Sequence, residues 1–127
     1  MTFLTAPECV TAFIEQADRL GIQIRFTADK MINLDAAYHA LPGKPGYILL
    51  TETQPMPNLE KQCRLLTHEM VHVLQHWKGE LKAVPPLGWP QDGAPPGRQL
   101  SSQEREAYTA EKYPMKVFEA IKKLRPY

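Results

Sequence analysis

The chain is expected to fold as an α+β domain, with a small β-sheet of two to four strands packed on one central helix. Three observations lead there. Short strand-like segments lie before residue 58, and only helical patterns follow it. A long helical pattern from about Leu59 to Lys78 carries an apolar stripe of Cys63, Leu66, Met70, Val73, Leu74 and Trp77 at spacings of three and four. The 127 residues, 43% of them hydrophobic, suffice for one domain (1–127) with one modest core.

Each element has its own signal. Ala6 to Leu20 reads as the first helix, because Val10, Phe13, Ile14 and Ala17 recur at helical spacing and Gly21 is placed to end it. Ile22 to Phe26 alternates apolar and polar residues, the pattern of a half-buried strand. Thr27 to Lys30 reads as a turn and Met31 to Leu34 as a second short strand. Asp35 to Pro45 reads as irregular, with His39 on a loop surface. Tyr47 to Leu50 is an apolar run of strand length, and Thr53 to Pro57 breaks it.

Asn58 is placed to cap the central helix, with Lys78 and Gly79 as its stop signals. Residues 80–100 hold Pro85-Pro86, Pro90 and Pro95-Pro96. A segment of this length without regular structure is either a lid over a functional cleft or a disordered excursion. Ser101 and Glu104 form a capping box that opens the next helix. Pro114 interrupts that helix and starts the last one, where Val117, Phe118, Ile121 and Leu124 share a face.

Composition narrows the function classes. A net charge of +1 makes no electrostatic case for nucleic acid or an acidic membrane surface. No apolar run approaches the ~18 residues of a membrane span, and Met1 to Thr5 shows no secretory signal. Cys9 and Cys63 belong to no Cys-x-x-Cys pair and are read as free buried thiols, hence a reducing, cytoplasmic setting. Nothing in the sequence sets the oligomeric state.

The central helix carries His68-Glu69-Met70-Val71-His72. Residues four apart share one helix face, so both imidazoles can bind one metal ion, with Glu69 beside them as general base. Catalytic zinc takes three protein ligands and leaves a position for water. The third is open among Glu104, Glu106, Glu111 and His76. Glu104 has a structural explanation in the capping box, whereas Glu106 precedes Ala107, a small residue that permits close helix approach. Tyr108, Tyr113 and His76 are candidate donors to a developing oxyanion. His76 also reads as a partly exposed cation near the helix C-terminus. The strand at Tyr47 to Leu50 is a candidate for pairing with an extended substrate.

The His-Glu-x-x-His helix followed by Glu106-Ala107 on a second helix resembles the gluzincin zinc metallopeptidases, and the order of elements resembles the very small minigluzincins. The resemblance implies a minimal zincin-like domain with Zn2+ held by His68, His72 and Glu106. Glu69 would be the base in hydrolysis of a peptide or protein substrate. Larger gluzincins often place an aspartate after the glutamate ligand to hold a ligand histidine, a role with no assigned residue here. They also carry a second subdomain for which this chain has no room, so a zinc-stabilised binding or regulatory module is the alternative.

Overall fold

The computed structural model describes residues 5–27, 36–51 and 58–127. In chain order the elements are α1 (Ala6–Arg19), β1 (Gln23–Thr27), β2 (Ala36–Leu41), β3 (Lys44–Thr51), α2 (Leu59–Lys78), α3 (Ser102–Ala110) and α4 (Pro114–Lys122). The fold is α+β, as the segregation of strand and helix patterns predicts. The expected strand at Met31 to Leu34 and the break at Thr53 to Pro57 lie outside the described residues.

The sheet order is β1-β3-β2, with β1 parallel and β2 antiparallel to β3. The apolar run of β3 is therefore the central strand. Ile48 and Leu50 point into the core, and the ring of Tyr47 lies on the other face. There it stacks on His39 at 4.8 Å and takes the Arg25 guanidinium at 4.2 Å. His39 is exposed as expected, but it belongs to β2 rather than to an irregular loop. Ladder bonding to β3 makes Ala36–Leu41 a strand despite its mixed composition.

Helix α2 runs through the centre, against α1, α3, α4 and β2. Asn58 caps it by accepting from Lys61 N at 3.0 Å. Gly79 follows its last residue, and the reason is space: a Cβ there would lie 2.2 Å from Ala83 O. The left-handed turn comes next, at Glu80 and Leu81, and buries the Leu81 side chain. The partner helices close the core through Phe13 and Phe118, which meet edge to face at 6.1 Å. Arg19 of α1 donates to Ile121 O and Leu124 O, satisfying carbonyls at the end of α4.

Two expectations are overturned. Cys9 and Cys63 are not free thiols; they form a disulfide joining α1 to α2. The argument for a reducing, cytoplasmic setting rested on those thiols, and disulfides persist in oxidising compartments. Residues 80–100 are no disordered excursion either. Three side chains of α3 fasten them: Gln103 to Val84 O, Glu106 to the amides of Leu87 to Trp89, and Thr109 to Gly93 N. No helix among the described residues is long and apolar enough to cross a membrane.

Candidate metal centre

A cleft of about 360 Å³ opens between β2, α2 and α3. His68 and His72, one turn apart on α2, line it with Glu69; α3 contributes Glu104 and Tyr108, and its C-cap contributes Glu111. These three repeat at spacings of four and three, the geometry of one helix face.

Glu104 is where the two histidines converge. Its Oε1 lies 3.4 Å from His68 Nε2 and is bonded to His72 Nε2. Ligand atoms of His68, His72 and Glu104 all fall within 4.8 Å of one another, so the three can hold a metal ion. Glu106, expected as the third member, is not in this group. It is fully buried on the other side of α3 and accepts from Leu87 N, Gly88 N, Trp89 N and Gln75 Nε2 at 2.7–3.0 Å. The capping box misleads here because only half of it forms. Ser101 Oγ accepts from Glu104 N at 3.1 Å, while the Glu104 carboxylate turns to the histidines.

The outer nitrogens of the imidazoles test the fit to a metal. His68 Nδ1 lies 2.9 Å from Glu111 Oε2, and His72 Nδ1 lies 2.8 Å from Gln75 Oε1. Both partners accept, so each Nδ1 carries a proton, and an ion that replaced the proton shared between Nε2 and Glu104 would meet the Nε2 lone pair. Metal-binding histidines are oriented in this way, with the second nitrogen donating to an oxygen. Glu111 thus holds the His68 ring, a contact for which the sequence offered no assigned residue. Its signal was its register with Glu104, two helical turns earlier.

Without an ion the cluster is a proton-sharing group. Burial opposes charge on His68, but Glu104 and Glu111 outweigh it and push its pKa up to about 9. His72 moves up as well, because Glu104 and Glu69 overcome the same burial. Hydrogen bonds from the two histidines hold Glu104 well below the usual carboxylate range. Burial raises Glu69 against the opposing pull of the histidines.

Glu69 is fixed from the sheet, where Tyr38 N donates to its Oε1 at 2.8 Å. Tyr38 is held in turn. Its hydroxyl accepts from Gly46 N at 2.9 Å and donates to His76 Nδ1 at 2.7 Å. His76 Nε2 faces Leu41 O and Leu81 O, so that nitrogen carries the proton. A Cβ on Gly46 would lie 2.8 Å from the Tyr38 hydroxyl and 2.0 Å from His39 O, so only glycine fits. His76 is therefore neither an exposed cation nor a donor to the cleft; it is 1% exposed and spans α2, β2 and the turn after α2.

Tyr113 also lies away from the cleft, 58% exposed at the start of α4. Tyr108 remains at the site, its ring edge-on to His68 at 4.6 Å. The segment 80–100 does not border the cleft: none of its residues lines it. The chain is without a match among protein families, curated proteins and solved structures.

Proposed function

We propose that this chain is a zinc-dependent metallopeptidase of gluzincin type, with His68, His72 and Glu104 as ligands and Glu69 as general base. The observation that carries the reading is the convergence of two imidazoles and a carboxylate in a cleft whose wall holds a second, separately positioned carboxylate. Two nitrogens and one oxygen, with a position left for water, are a donor set that suits catalytic zinc. Bound there, zinc would supply Lewis acidity and bring a water's pKa toward ~7.

The chain's own residues supply the proton transfers. Tyr38 N holds Glu69 Oε1, which leaves Oε2 to take the proton of the attacking water and return it to the leaving amine. Tyr108 is the hydroxyl at hand for the developing oxyanion. Substrate docking falls to β2, not to the strand at Tyr47 to Leu50. That strand is paired on both sides, whereas among the described residues β2 is a sheet edge, and Ala36 to Tyr38 line the cleft. An extended peptide can add to such an edge.

The test is Glu69→Gln, which keeps shape while removing the base. Loss of peptide cleavage by about 10²–10⁴ with zinc retained supports the proposal. Full, chelator-sensitive activity in the variant refutes the role of Glu69. Zinc binding by a wild type that cleaves no member of a broad peptide library favours the zinc-stabilised module.

A further inference from the structure

Glu106 has a carboxylate with four donors and no contact with the cleft. The amides of Leu87, Gly88 and Trp89 come from three successive residues of the segment after α2, and they enclose the carboxylate on one side. On the other side stands Gln75, which is 0% exposed.

The orientation of Gln75 follows from its neighbours. Its amide nitrogen faces Glu106 Oε1 at 3.0 Å and Gln103 O at 3.1 Å. Both are acceptors only, so the amide cannot be turned over without setting oxygen against oxygen. Gln75 Oε1 must then face His72 Nδ1, 2.8 Å away, and this nitrogen must donate. When a metal ion replaces the proton shared with Glu104, the lone pair of the neutral imidazole is on Nε2, the atom that faces Glu104.

We propose that Glu106 is a positioning residue for the metal centre. By fixing the Gln75 amide against the 87–89 backbone, it sets the tautomer and ring orientation of His72. This inference rests on the reading of His68, His72 and Glu104 as metal ligands. The segment 80–100 then bears on the centre from behind α3, through one hydrogen-bond chain, instead of covering the cleft.

The decisive variant is Gln75→Leu, which keeps the three amide bonds to Glu106 but cuts the link to His72. Glu106→Gln is its companion, and Gln103→Ala is the control, removing the tie to Val84 O while leaving the Gln103 carbonyl in place. Zinc affinity is measured by chelator competition on full-length protein, with circular dichroism to verify the fold. The His72 Nδ1–H resonance is followed by 15N-edited NMR in the zinc-loaded state.

Gln75→Leu is expected to weaken zinc binding by about 10–100-fold and to expose the His72 Nδ1–H to rapid solvent exchange. Gln103→Ala should stay near the wild-type affinity. If Glu106→Gln does not fold, Gln75→Leu decides alone. A folded Gln75→Leu protein with wild-type affinity and an unchanged resonance overturns the positioning role while leaving the metal centre intact. A wild type that binds no zinc overturns the metal centre itself and this inference with it.

Discussion

Glu104 and Glu106 stand on opposite sides of α3, since two residues turn an α-helix through about 200°. On the cleft side, Glu104 is held by two imidazoles. On the far side, Glu106 is held by three backbone amides and the Gln75 amide. Glu104 ionises easily because the histidines donate to it. Burial opposes charge on Glu106, but the fixed amides more than compensate and lower its pKa too. The difference lies in what can replace the donors. The protons on His68 and His72 can give way to a cation, whereas backbone N–H groups cannot leave. One carboxylate is therefore free to become a ligand, and the other is committed to the fold.

The largest expected effect breaks the cleft side. Glu104→Ala should reduce bound zinc from near-stoichiometric to undetectable after dialysis, read by elemental analysis. Retained zinc would show that the ligand set is wrong.

The far side should fail in stability. Glu106→Ala leaves one buried donor, on Gln75, and three part-buried backbone amides without their acceptor, and a buried loss costs about 1–3 kcal/mol. Denaturant unfolding of the metal-free protein should show a loss of about 1–3 kcal/mol. A loss below ~1 kcal/mol would mean that the 87–89 backbone finds other partners.

An intermediate effect belongs to Glu111. Glu111→Ala removes the acceptor for His68 Nδ1–H and should weaken zinc binding by about 10–100-fold with the fold intact, as measured by chelator competition.

The two sides should also loosen at opposite ends of the pH scale. His68 is raised in the folded, metal-free protein, so its ion pairs stabilise fully below the ordinary histidine value of about 6.5 and are lost as pH rises through about 9. Glu106 is lowered, so its contribution is complete above the ordinary carboxylate value of 4.5 and is lost on acidification below it. Metal-free unfolding midpoints should thus fall between pH 7 and 9.5, and fall less in Glu111→Ala. An equal fall in both would assign the alkaline loss to other groups.

The smallest effect concerns the end of α3 that both glutamates share. Ser101→Ala should cost about 0.5–2 kcal/mol, as for a lost cap, with zinc retained.

What the sequence made legible was what local chemistry decides. Asn58 and Gly79 bounded α2, Ser101 opened α3, and Pro114 opened α4, because caps and breakers act within a turn or two. Helical periodicity placed His68, Glu69 and His72 correctly on one another's side. Choosing between two glutamates two residues apart required the direction from which α2 approaches α3, a tertiary fact. The capping-box pattern then pointed the wrong way, since a carboxylate within reach of one buried and one half-buried imidazole prefers them to a backbone amide. β2 was illegible because Ala36–Leu41 is a strand by pairing, not by propensity. The Glu106–Gln75–His72 chain joins an irregular segment to two helices, and no periodic signal reports it.

The Cys9–Cys63 bond has one more consequence. It closes a sequence separation of 54 residues, which by loop entropy restricts the unfolded chain by about 4 kcal/mol. Its anchor on α2 lies little more than one turn before His68. With an ion bound as proposed, α2 would be fastened twice, once by coordination near its middle and once by a covalent strap near its start. Chelators release the first fastening and thiols the second, and neither reagent touches the other. On the proposed reading, a chain stripped of its ion but with this bond intact would keep α1 and α2 side by side, idle but reloadable.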